Sequence, residues 1–224
     1  MFLEEEDTVA TVMDYIPCRQ LRHVWPSMSL FAKLRVAFIL RGYLRQLRAI
    51  RHPRSRIPGP IASDDQIRPP QVQMIGGELE RPRAPFGSCA EFSAWWNERY
   101  AMSMECAPQR HEGAPPEPFD DSAPLVLTHC DLNMRNILVG DDGRLYLIDW
   151  DLSGFYPPWF EYVNWRFWVW IGLGGEGGKL DRTDRLWNIL IPFITLGPYN
   201  RQERWYSRVL PALAYFDVRR LGYS

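Results

Sequence analysis

Residues 129–149 hold the chain to a narrow set of folds. They read His129-Cys-Asp-Leu-Asn-Met-Arg-Asn136, then Ile137–Val139, Gly140-Asp-Asp-Gly143 and Arg144–Trp150. A Gly-Asp-Asp-Gly run between two apolar runs is a strong hairpin signal. Leu125–Thr128 just ahead reads as a short strand. A hairpin sets its two ends side by side, so Asn136 at its start and Asp149 at its finish meet in space. Asp131 lies in the loop that feeds the hairpin. Two carboxylates and a carboxamide thus gather at one hairpin mouth.

That set of groups points to phosphoryl transfer. H-x-D-L-x-x-x-N followed by a second acid is the pattern of a kinase catalytic loop. Asp131 is placed to accept the proton of an attacking hydroxyl. Asn136 and Asp149 supply the hard oxygen ligands that Mg²⁺ prefers and would hold it against the phosphates. H-x-D alone is a weak signal. The full pattern, in order and in hairpin context, is a strong one.

The rest of the chain reads as an α+β protein with helices in the majority. Thr8–Ile16 is rich in β-branched residues and predicts a strand that Pro17 stops. Glu4–Asp7 reads as a turn, with Met1–Leu3 the stub of a preceding strand. Ser29 caps a predicted helix to about Arg48, with Leu34, Ala37, Leu40, Leu44 and Leu47 on one buried stripe. Arg35, Arg41, Arg45 and Arg48 fall mostly off it and read as a solvated basic face. His52–Phe86 reads as a long loop. Ser88-Cys-Ala-Glu91 is a capping box that opens a second helix. Ala107–Pro124 is Pro-rich loop. Helices are predicted from Tyr156-Pro-Pro-Trp to about Trp170, over Thr183–Leu196 and over Asn200–Tyr215.

THCDLNMRNILV and DDGRLYLIDWDLSGFYPPWFEY resemble the aminoglycoside phosphotransferase family, in the branch with choline and homoserine kinases. Ile148-Asp-Trp-Asp151 matches the family's I-D-W-[DE], and TVMDYIPCRQLRHVWPSMS resembles its hinge strand and first large-lobe helix. The resemblance implies a protein-kinase-like large helical C-terminal lobe with a catalytic β-hairpin, over residues 18–224. Residues 1–17 would be a remnant of the small-lobe sheet and the hinge. It implies ATP and Mg²⁺ as cofactors and a small-molecule alcohol or amino-alcohol as phosphate acceptor. Asp131 matches the catalytic base, and Asn136 and Asp149 the metal ligands. Asp14, Tyr15 and Ile16 fall at the hinge that meets adenine. Leu138 and Ile148 fall on the apolar floor beneath it. His129 would support the loop. Asp151 would assist a second metal or be a solvated acid. Cys130 stands where the family often has glycine.

The family's small lobe carries a phosphate-covering loop and a lysine. The segment ahead of the hinge is short here, and the lysines, Lys33 and Lys179, both follow it. A poor or inactive kinase is therefore expected of the chain as written. A kinase-like binding module and an incomplete gene product stand as alternatives. Gly172-Leu-Gly-Gly-Glu-Gly177 satisfies G-x-G-x-x-G, but it follows an aromatic helix rather than a strand and reads as a connector. Trp95, Trp96, Trp165, Trp168 and Trp170 fall at helical spacings and read as core rather than as a ligand cage.

The net charge of −1 gives no argument for nucleic acid or an anionic membrane as partner. Tyr162–Leu173 is too short to span a bilayer and contains Arg166. Cys18, Cys89, Cys106 and Cys130 form no C-x-x-C and read as free thiols. A cytoplasmic protein is expected, its oligomeric state unreadable.

Overall fold

The computed structural model describes residues 2–5, 8–11, 15–61, 86–113, 115–171 and 184–220. Two short strands open the chain, β1 (Phe2–Glu5) and β2 (Thr8–Thr11), paired antiparallel with Phe2 opposite Thr11. The stub expected before the turn is thus a full partner strand, and Glu4 and Glu5 belong to it. Pairing satisfies backbone groups that a lone strand would leave open. The long strand expected to Ile16 is not one element. Asp14 lies outside the described residues, and Tyr15–Pro17 carry no regular structure.

Beyond Pro17, Cys18–Gln20 forms β3, which the sequence does not predict. It is too short for a periodic signature and exists through its partner. That partner is β6 (Ile137–Gly140), the first strand of the hairpin, with Cys18 opposite Gly140 and Gln20 opposite Leu138. β6 pairs on its other side with β7 (Leu145–Leu147). The turn closes through Gly143 N–H to Gly140 O at 2.9 Å, and Gly143 takes φ +74°, which glycine adopts at no steric cost. β7 stops at Leu147 rather than Trp150, because Asp149 has φ +65° and cannot continue a strand.

A second three-stranded sheet has the order β4 (Gly59–Pro60), β8 (Gly154–Tyr156), β5 (Val126–Thr128). β8 corrects the expected helix start at Tyr156. Pro157 disfavours the helical region for the residue before it, so Tyr156 stays extended opposite Val126. β4 corrects part of the expected loop His52–Phe86, of which residues 62–85 lie outside the described residues.

The helices are α1 (Leu21–Val24), α2 (Leu30–Ala49), α3 (Cys89–Cys106), α4 (Phe160–Ile171), α5 (Arg185–Ile194) and α6 (Asn200–Arg220). Ser29 caps α2 by accepting the Ala32 N–H, and Val36, Ala37, Leu40 and Leu44 are buried. The arginines of α2 form a solvated face only in part: Arg35 and Arg45 are exposed, Arg41 and Arg48 half-buried. Arg35 donates to Gly143 O at 3.2 Å, Arg41 donates to Phe193 O, and Arg48 donates to Pro158 O at 2.8 Å and Thr195 O at 2.7 Å. They tie α2 to carbonyls that end other elements, while Arg45 is exposed. At α3, Ser88 accepts the Glu91 N–H, but Glu91 accepts from Gly87, one residue earlier than in a capping box.

Trp96 centres an aromatic core. It stacks on Phe119 and meets Phe92, Phe160, Trp205 and Tyr206, joining α3, α4 and α6. Trp95 and Trp165 are also buried. The side chains of Trp168 and Trp170, and the whole of Gly172–Gly177 and Lys179, lie outside the description. The four cysteines are free thiols. Among the described residues no helix is long and apolar enough to cross a membrane.

Candidate active site

β5 leads straight into the loop that carries Asp131. Cys130 sits there with φ +65°, a left-handed conformation that costs a non-glycine residue roughly 1–2 kcal/mol. A buried carboxylate holds it in place. Glu161, in the first turn of α4, accepts the His129 N–H at 2.7 Å and the Cys130 N–H at 3.2 Å. Burial pushes Glu161 up to about 7, against the pull of these two N–H groups and of Arg48. The sequence reading assigned no role to Glu161. Its one signal was an acid in the first turn of a mainly aromatic, apolar helix.

His129 is fully buried. Its Nδ1 accepts the Asp131 N–H at 3.3 Å, so Nε2 carries the proton toward Ile148 O at 3.0 Å. Burial lowers its pKa to about 4, so the ring is neutral. The ring also lies 4.5 Å from that of Trp150. His129 therefore fastens the Asp131 loop to the segment that carries Asp149.

Asp131 and Asn136 are in direct contact. Asn136 Nδ2 donates to Asp131 Oδ2 at 2.6 Å and to its backbone oxygen at 2.9 Å. Asn133 Nδ2 donates to Asp131 Oδ1 at 3.0 Å. Burial raises Asp131 to about 6, and the Asp149 charge adds to the rise. Asn136, Arg135 and Asn133 oppose it. Asp149 thus lies within electrostatic reach of Asp131. The Ile148 N–H to Asn136 O bond, at 3.0 Å, closes the hairpin mouth between Asn136 and Asp149.

The residues present fit a magnesium ion. Asn136 spends its Nδ2 on Asp131, which leaves Oδ1 for a ligand. Asp149 is exposed and makes no hydrogen bond among the described residues. No cluster of three or more His, Cys, Asp or Glu suited to a metal occurs among those residues. Two hard oxygen donors suit a cation that keeps waters and phosphate oxygens in its shell. Asp151 is exposed beside them.

The hairpin sheet turns Ile137, Val139, Leu145 and Leu147 to the core. Its other face carries Leu138 and, opposite it, Tyr146, with Ile148 two residues on. All three are half-buried and offer an apolar surface beside Asn136 and Asp149. Alternation along the strand would have found Tyr146, which the sequence reading passed over. Tyr15 is exposed and Ile16 half-buried, at the entry to β3. No hydrogen bond or ring contact joins them to Leu138 or Ile148 among the described residues.

Compared with known proteins, the chain matches the model of the APH family, the phosphotransferase enzyme family, over residues 3–177. No curated protein and no solved structure matches it.

Proposed function

Because the chain belongs to the phosphotransferase enzyme family, we propose that it transfers the γ-phosphoryl group of ATP to a hydroxyl of a small molecule. One observation carries this reading: Asp131 is gripped by Asn136 and Asn133, with Asp149 near enough to perturb it. With a pKa of about 6, Asp131 is mostly ionised at neutral pH and accepts a proton. The acceptor O–H gives its proton to Asp131. Its oxygen forms the new bond to phosphorus, the bond from phosphorus to the bridging oxygen breaks, and ADP leaves with that electron pair.

Asn136 Oδ1 and Asp149 would hold Mg²⁺, which supplies charge neutralisation for the phosphates. The Leu138–Tyr146–Ile148 face would support an adenine ring, with Tyr15 and Ile16 at the hinge; Asp14, the third expected hinge residue, lies outside the described residues. On this reading residues 18–224 form a kinase-like large lobe and residues 1–17 belong to the small-lobe sheet and hinge.

The test is ADP release from Mg-ATP across a panel of alcohols and amino-alcohols, with Asp131→Asn beside the parent chain. The variant should lose about 10²–10⁴ in turnover, the usual worth of a general base. Undiminished turnover in Asp131→Asn would sink the reading. Repeating the assay with a family small lobe joined at the N-terminus separates the alternatives. Turnover only in the joined form assigns activity to a longer product, and nucleotide binding without turnover in either assigns a binding role.

A further inference from the structure

The two carboxylate oxygens of Asp131 face different neighbours. Oδ2 takes the Asn136 amide at 2.6 Å, on the side of the metal ligands. Oδ1 takes the Asn133 amide at 3.0 Å. Asn133 Oδ1 in turn accepts the backbone N–H of Arg135 at 2.9 Å and its Nε–H at 3.3 Å. Asn133 thus yokes the Arg135 guanidinium to Asp131 from the Oδ1 side. The Arg135 side chain is half-buried, and its two terminal NH₂ groups have no partner among the described residues. Its positive charge acts on Asp131.

In-line transfer puts the leaving and attacking oxygens at opposite ends of the phosphorus. On that reading Asn136, which would hold the metal beside Oδ2, marks the leaving side. The attacking hydroxyl therefore approaches Asp131 from the Oδ1 side, where Arg135 stands. A guanidinium fixed at Nε with two free N–H edges matches a carboxylate or phosphate in fork geometry. The same group repels an ammonium.

Resting on the phosphotransferase reading, we propose that Arg135 binds an anionic group of the acceptor, which is a hydroxy acid or a phosphorylated alcohol rather than a cationic amino-alcohol. Asn133 is the positioning residue that holds Arg135 and Asp131 at a set spacing, so the acceptor's anion and its reacting hydroxyl are aligned together.

The experiment is a calorimetric titration of the chain loaded with Mg²⁺ and a non-hydrolysable ATP analogue. The probes are glycerate, glycerol 3-phosphate, glycerol and choline. At least one of the two anions should bind about tenfold tighter than glycerol, with choline weakest, and the stronger of the two identifies the anion as carboxylate or phosphate. Arg135→Gln should erase that preference by about tenfold while leaving nucleotide affinity within about twofold. Arg135→Lys, which keeps the charge without the fork, should fall between. Choline or glycerol binding as well as the anions, or no anion binding at all, would overturn the inference. So would an Arg135→Gln variant that weakens the nucleotide but not the anion, which would place the guanidinium on the transferred phosphoryl group. The ranking of probes on the parent chain decides even if Arg135→Gln does not fold. Failure of both the parent chain and the form joined to a family small lobe to bind the nucleotide analogue sinks the phosphotransferase reading, a result distinct from a missing anion preference with nucleotide bound.

Discussion

Asp131 balances burial and a like charge against donors from Asn136 and Asn133 and the charge of Arg135. A base raised to about 6 is protonated below that pH, so turnover should climb through pH 6 and level off near neutrality. Replacing Asp149 by Asn removes the neighbouring negative charge. The ionised form of Asp131 then becomes easier to reach, and the midpoint should move to lower pH. A pH profile of kcat/KM, or carboxylate titration by NMR, reads this, and an unmoved midpoint would uncouple the two acids. Glu161 works one layer back. Cutting it to Ala leaves the His129 and Cys130 N–H groups buried and unpaired, each costing about 1–3 kcal/mol. Chemical denaturation of Glu161→Ala should show a loss of about 3 kcal/mol. A loss under about 1 kcal/mol would mean that water takes over both bonds. The gathering of Asp131, Asn136 and Asp149 around the hairpin mouth was legible in the sequence because one short motif and one hairpin carry all three. Glu161 acts across a fold contact that no local spacing encodes, and Asn133 passes for an ordinary loop amide.

Among the elements, the hairpin, α2 and α3 were legible from turn glycines, caps and an apolar period. β3 and β4 were not, since strands this short have no pattern of their own and are defined by distant partners. The arginines of α2 misled for a related reason. Off-stripe charge usually means solvent, as it does for the exposed Arg35 and Arg45, yet the half-buried Arg41 and Arg48 reach carbonyls at the ends of other elements. Gly154 shows how tightly the second sheet is built. A Cβ there would stand 2.2 Å from Gly59 O, where β4 pairs antiparallel with β8. Gly154→Ala must push β4 away, at about 1–3 kcal/mol for overpacking. Guanidinium denaturation should show that loss, with faster amide exchange at Ile61, whose N–H bonds Ser153 O at 3.0 Å. Unchanged stability would show that β4 shifts without cost.

The molecule as a whole joins the site to one aromatic core. The family match ends at residue 177, yet α5 and α6 are bound into the same body. Trp25 Nε1 donates to Asp184 at 2.9 Å, Trp205 Nε1 to Glu117 O at 2.8 Å, and Tyr162 OH to Glu203 at 2.9 Å. The α+β class and the helix-rich build were legible from hairpin, cap and period signals and from the family resemblance. The strand order was not, because it depends on pairings far apart in sequence, as of Cys18 with Gly140. The central claim is that the hairpin mouth holds a magnesium nucleotide, with Asp149 on the metal and Asp131 on the proton. A metal ligand acts in the ground state and a base chiefly in the transition state. Calorimetric titration of Mg-ATP into the parent chain, Asp149→Ala and Asp131→Asn tests this without knowledge of the acceptor. Affinity should fall by about tenfold or more in Asp149→Ala and change little in Asp131→Asn. Equal binding by Asp149→Ala and the parent chain, or a deeper loss in Asp131→Asn, would contradict it.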